Sequence, residues 1–204
     1  MFVTISREYG AGGSTVARLV ADRLKWRLVD NQLIEEVARR AGVTPEEIAE
    51  KEERGPTFVE RLARALAAST PELLGPDVIA IPEAEEARLV KITEQVVAEA
   101  CGEGHAVLVG RAAVAVLAQR TDALHVRLVA PLPHRVEVIS RRLGVDAEEA
   151  ARRIKDVDTH RTRYHKQYYD REWADARNYH LTVNTGWLGA ERSAAVIAGA
   201  VHEQ

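Results

Sequence analysis

The chain has 204 residues, 46% hydrophobic and 29% charged, with a net charge of -3 and one cysteine. A chain of this size buries roughly 70% of its unfolded surface without help from metal or disulfide, and its composition is that of a globular protein, not a disordered one. The charge balance gives no general pull toward nucleic acid or anionic membrane, Cys101 has no partner for an intrachain disulfide, and no apolar run approaches the ~20 residues that cross a bilayer.

The period of the apolar pattern separates the elements. "FVTIS" (2–6) is short, apolar and β-branched, as a buried strand should be. A strand starting there leaves no room for a signal peptide, so a reducing, cytoplasmic location is expected. A helix is predicted over 14–25, with Val16, Leu19, Val20 and Leu24 on one face, followed by a strand "WRLVD" (26–30) and a helix over 31–41. Thr44 and Glu47 form a capping box with Pro45 in the first turn, predicting a short helix over 45–53, and another is predicted over 57–68. The proline-rich stretch "STPELLGPDVIAIPEAE" reads as an irregular connection. A long amphipathic helix follows over 83–102, then strands "HAVLVG" (105–110) and "HVRLVAP" (125–131). Helices over 132–143, with Gly144 as C-cap, and 146–168 lead to a last strand, "YHLTVNTG" (179–186), and a closing helix.

Strands separated by helices argue for an α/β protein with a parallel sheet covered on both faces. Ligands of such sheets bind beyond the carboxyl ends of the strands, which directs attention to 6–15, 30–36, 110–111 and 184–186. The first of these, "REYGAGGST", matches the phosphate-loop pattern G-x-x-x-x-G-K-[ST] imperfectly. With Gly12 as the second glycine, Arg7 stands at the first glycine, Gly13 at the lysine and Ser14 at the hydroxyl. Backbone N–H groups from Gly10 to Thr15 (Gly10, Ala11, Gly12, Gly13, Ser14, Thr15) can wrap an anion at the helix N-terminus. Ser14 or Thr15 can face a magnesium ion. Arg7, Arg18 or a more distant arginine would have to supply the missing positive charge; the alternative is a ligand-free glycine turn.

Five of the 28 basic residues are lysine, so an arginine carries weight only inside a pattern. Arg111 directly follows the third strand, where its planar fork suits a phosphate; a surface ion pair is the alternative. In "RRIKDVDTHRTRYHKQYY" (152–169), Asp158 and Arg161 share a helix face, as do Arg161 and His165. The run is either an arm that closes over phosphates or a solvated helix face. Tyr164, Tyr168, Tyr169 and Trp173 read as packing for the arm's return, with base stacking as the other option. The seven histidines show no metal-ligand spacing, and no G-x-S-x-G elbow is present.

Taken in order, "ISREYGAGG", "LVDNQLIEEVARRAG", "LVGRAAV", "VDTHRTRYHKQYY" and "NYHLTVNTGWLG" resemble the cytidylate kinase-like family, a branch of the P-loop nucleoside monophosphate kinases, from residue 2 to about 197. The resemblance implies ATP- and magnesium-dependent phosphoryl transfer to a nucleoside monophosphate, CMP or dCMP first. The alternatives are a P-loop kinase of another small metabolite and a catalytically weak nucleotide-binding regulator. It also implies one domain over 1–204 with a three-layer α/β/α P-loop kinase fold and a five-stranded parallel sheet of order 2-3-1-4-5. A helical monophosphate-binding insertion would occupy 31–86 and a lid 145–178. Gly10 to Thr15 would hold the ATP phosphates, with Asn184, Thr185 and Gly186 near adenine. Asp30, Arg111, Asp158 and Arg161 would bind the acceptor, and Arg7, Arg111 and Arg161 would be the catalytic arginines. Nucleotides are the expected partners, with neither nucleic acid nor membrane. Two departures stand out: Gly13 replaces the loop lysine of ordinary cytidylate kinases, and Glu36 stands where "DSGAIYR" has its arginine.

Overall fold

A computed structural model of the protein describes residues 1–29, 40, 90–102, 104–110 and 112–202. Asp30, Arg111 and the helices expected over 31–41, 45–53 and 57–68 lie outside the described residues, Arg40 excepted. In chain order the elements are β1 (Phe2–Arg7), α1 (Gly13–Leu24), β2 (Arg27–Val29), a helical stretch over 90–102 (α2), β3 (Ala106–Val109), α3 (Ala113–Val116), β4 (Ala123–Val129), α4 (Leu132–Leu143), α5 (Ala147–Tyr169), β5 (Leu181–Asn184) and α6 (Thr185–His202). The strands form one parallel sheet in the order β2-β3-β1-β4-β5, as expected.

Side-chain alternation along the strands decides what each face of the sheet holds. Val3 and Ile5 of β1, Val126 and Leu128 of β4 and Val183 of β5 point to one face. There they meet Val16, Val20, Ala194, Ile197 and Val201 of α1 and α6 in the main core. Each such side chain, once fully buried, contributes about 1.5–3 kcal/mol. On the other face, Phe2 and Leu108 pack with Val96, Val97, Ala100 and Cys101 of α2 and with Ala113 and Leu117. Farther along β1 this second face turns polar. Thr4 pairs in register with His125, and Ser6 with Arg127, and all four are buried.

The bounds of two strands differ from the sequence expectation. Strand β4 starts at Ala123, because Ala123 and Leu124 pair with Phe2 and Val3, and it stops before Pro131, the N-cap of α4. Strand β5 stops at Asn184, since the Asn184 side chain accepts from Trp187 N–H at 3.2 Å and so opens α6 as a helix cap. The described part of α2 begins at 90. Asp146 caps α5 by accepting from Glu149 N–H at 2.8 Å, and Gly144 ends α4 in the left-handed conformation, as predicted.

Candidate phosphate-loop and acceptor site

The loop between β1 and α1 has the geometry of an anion cradle. Gly10 (φ +86) and Gly12 (φ +73) hold left-handed turns that side chains rarely adopt. Gly10 also packs closely on Arg135 and Ile139 of α4, leaving no comfortable space for a Cβ. Gly12 occupies the N-cap of α1 without a side-chain cap, and Ser14 and Thr15 are exposed in its first turn. The helix N-terminus is therefore left without a side-chain cap or an acidic residue in its first turn.

Gly13, at the lysine position, is buried against the side chain of Arg7. A Cβ on Gly13 would stand 2.6 Å from Arg7 Cγ and 3.2 Å from Arg7 Cβ and Cδ. The same side chain continues to the end of β3, where a Cβ on Gly110 would meet Arg7 Cζ at 3.0 Å. Arg7 thus passes through the volume a residue-13 side chain would need. It joins the phosphate loop to a pocket at the carboxyl end of β1 and β3.

That pocket lies between Arg7, Gly110 and Ala112–Val114 on one side and His160, Arg161, Tyr164 and His165 of α5 on the other. None of its described lining residues is acidic. Arg161 donates to the Arg7 carbonyl at 2.8 Å, so two of the three candidate catalytic arginines meet here. At its inner end Trp173 donates to Ser6 Oγ at 2.8 Å. Arg127 donates to the Trp173 carbonyl at 2.5 Å, and its guanidinium lies 4.4 Å from the Trp173 ring centroid.

Asp158 is tied to the loop instead of facing the pocket. Its Oδ1 accepts from Tyr9 N–H at 2.9 Å and its Oδ2 from Arg135 at 2.6 Å. Arg135 also lies 3.5 Å from Glu8, and Arg142 sits over the Tyr9 ring at 4.9 Å. Thr185 Oγ1 donates to the Ala11 carbonyl at 2.9 Å, which brings the end of β5 against the loop. Gly186 packs on Pro131. The anchors Arg135 and Ser6 carry no motif in the sequence. His165 did carry a signal, its i, i+4 spacing from Arg161.

Two histidines nearby are uncharged. Burial, then the Arg171, Arg127 and Arg161 guanidiniums, lowers the His165 pKa to about 4. Burial, followed by His180, does the same for His125, also to about 4. Among the described residues no cluster of His, Cys, Asp and Glu is arranged to hold a metal, and no helix is long and apolar enough to cross a membrane.

A parallel sheet of order 2-3-1-4-5, with a glycine loop between its central strand and the following helix, defines a P-loop kinase fold. The model of the cytidylate kinase-like family matches residues 2–186, and the chain belongs to that family. It is 31% identical over 111 residues to a cytidylate kinase of Methanopyrus kandleri; the match covers 50% of this chain and 58% of that one. The chain thus spans little more than half the length of this curated relative. Among solved structures it resembles an uncharacterized protein from Eubacterium ventriosum (TM-score 0.72, 18% identity, 100% of this chain and 99% of that one). It also resembles a shikimate kinase from Acinetobacter baumannii (TM-score 0.53, 16% identity, 99% and 93%). At these identities the structural likeness concerns the fold.

Proposed function

We propose that the protein transfers the γ-phosphoryl group of ATP to a nucleoside monophosphate, with CMP or dCMP as the first candidate acceptors. The observation that carries this is the course of Arg7, which runs from the phosphate loop at Gly13 to the pocket at Gly110, where no described lining residue is acidic. A phosphoryl group passing from loop to pocket would travel along that guanidinium.

The loop fits the triphosphate by its chemistry: left-handed glycines, an uncapped helix start and exposed hydroxyls at Ser14 and Thr15. Bound ATP would supply the phosphoryl group, and Ser14 or Thr15 would hold a Mg2+ ion whose charge offsets that of the phosphates. The backbone N–H groups from Gly10 to Thr15 orient the phosphates. Asn184 to Gly186, fastened to Ala11 through Thr185, border the adenine side. Arg7 and Arg161 neutralise charge as it develops between donor and acceptor, joined by Arg111 from the segment after β3. An anionic acceptor needs no strong general base, so alignment and neutralisation suffice.

The test is an acceptor screen. The protein is incubated with ATP, Mg2+ and each of the ribo- and deoxyribonucleoside monophosphates, with shikimate as a non-nucleotide acceptor, and diphosphate or phospho-product is resolved by ion-exchange chromatography. CDP or dCDP as the main product is expected. Transfer only to shikimate would replace the nucleotide by another small anionic acceptor, and ATP binding without any transfer would refute the kinase activity.

A further inference from the structure

We propose that His165 binds the acceptor directly, its imidazole edge hydrogen-bonding an uncharged polar group of a ligand whose anionic end faces Arg7 and Arg161. This rests on the pocket being the acceptor site of the proposed kinase, and it adds a specificity-determining residue to that site.

His165 is 7% exposed and lines the pocket. Its ring is fixed by aromatic neighbours, Tyr164, Tyr169 and Trp173, with centroids at 6.4, 6.2 and 6.4 Å. No hydrogen bond ties its ring to a described residue, and its nitrogens are not among the fully buried unpaired atoms, so the ring edge reaches the pocket. The polar groups beneath it contrast sharply. Ser6 Oγ accepts from Trp173 and lies 3.3 Å from Tyr179 Oη, the Trp173 carbonyl accepts from Arg127 and Tyr179, and Arg127 lies 3.7 Å from Glu8.

A neutral imidazole carries one donor and one acceptor, and nitrogens that reach a cavity are open to a ligand there. Above hydrogen bonds at Ser6, Trp173 and Arg127, an imidazole that lines the cavity without a described partner therefore marks a place where a ligand would bond. Three guanidiniums face this ring: Arg127 from β4, Arg161 from its own helix and Arg171 from the segment that follows. With burial they keep the imidazole uncharged. One nitrogen then donates and the other accepts, which suits a hydroxyl, an amino group or a base carbonyl and not a second phosphate. Arg7 and Arg161 are left to hold the anion.

The experiment compares the full chain with His165→Phe, which keeps a flat ring between Trp173 and Tyr164 but removes both nitrogens. Binding of CMP, dCMP, UMP, AMP, GMP and shikimate is measured by calorimetry, alongside ATP binding and thermal melting. The expected result is a tenfold to hundredfold loss of affinity for whichever of these the native protein binds. ATP affinity should stay within twofold and the melting temperature should not fall. His165→Asn, which restores a donor and an acceptor, should recover part of the loss. Native affinity in His165→Phe overturns this proposal alone. Failure of the native protein to bind any of the six overturns the acceptor-site reading and this proposal with it. Should His165→Phe fold poorly, His165→Leu gives the same comparison.

Discussion

At the scale of single residues, the substitution that breaks the phosphate-loop pattern is matched by a second one. Gly13 has no left-handed backbone to accommodate, so the glycine is required by what lies over it and not by its φ. What lies over it is the stem of Arg7, which occupies the first-glycine position of the same pattern. An arginine at one end of the pattern thus lies over the glycine at the other, and the two positions are sterically linked. Restoring the lysine alone should therefore harm the protein. Gly13→Lys would force Arg7 Cγ out from 2.6 Å, an overpacking that costs about 1–3 kcal/mol. Its kcat/KM should fall, along with its melting temperature. Arg7→Ala should lower kcat at least tenfold with little change in melting. The double variant Arg7→Ala/Gly13→Lys should exceed both single variants in kcat/KM, because the lysine then has room and replaces the lost charge. Steady-state ADP release decides the matter: a gain in kcat/KM for Gly13→Lys alone would show that Arg7 does not fill the lysine's place.

At the scale of elements, α5 does most of the work of joining the two halves of the site. Asp158, Arg161 and His165 fall at i, i+3 and i+7, one stripe of a helix. From that stripe one residue reaches the Tyr9 amide, the next the Arg7 carbonyl and the third the pocket. The spacing was legible in the sequence, and so was the acidic–basic pairing. The target of Asp158 was not. It is set by Arg135 and by the backbone at Tyr9, and a main-chain partner 149 residues away leaves no trace in side-chain patterning. The start of β4 escaped notice for a related reason: Ala123 and Leu124 belong to the strand because they pair with Phe2 and Val3, and partners so distant in the chain leave no local pattern. By contrast, β1, α1 and the Gly144 cap were readable because each depends on local chemistry alone.

The Asp158 anchor yields a test that separates loop-holding from acceptor-binding. Asp158→Asn removes the charge that Arg135 pairs with and weakens the bond from Tyr9 N–H. If Asp158 mainly fixes the loop, KM for ATP should rise about fivefold to twentyfold, and KM for the acceptor should change less than twofold. A double-mutant cycle with Arg135→Ala should show a coupling of about 0.5–3 kcal/mol in thermal or denaturant unfolding. A selective rise in acceptor KM, with no coupling to Arg135, would instead return Asp158 to the acceptor.

At the scale of the whole molecule, the polar side of the sheet makes the fold sensitive to acid. His125 and His165 are both buried, and both have pKa values lowered from 6.5 to about 4. Burial is the leading cause for each, followed by the positive neighbours of the ring. In the unfolded chain these imidazoles take up a proton near pH 6.5, whereas in the folded chain they resist until about pH 4. Between those values the unfolded state binds more protons, so acidification favours unfolding. Their contribution is complete above about pH 7, falls steadily toward pH 4, and changes no further below it; each unit of difference is worth about 1.4 kcal/mol per group. Melting temperature should accordingly drop between pH 7.5 and pH 5.0. His165→Phe, which cannot take up the proton, should drop by clearly less over the same range. His180→Ala should also flatten the slope, since His180 stacks on His125 at 4.9 Å and is the second cause of its lowered pKa. The His180 ring also accepts from the His125 backbone N–H at 2.9 Å, so that variant should start from a lower melting temperature at pH 7.5. Parallel slopes for the native protein and His165→Phe would mean that the His165 imidazole takes up its proton as readily in the folded chain as in the unfolded one. A pocket facing three guanidiniums without an acidic group among its described lining residues argues against that uptake.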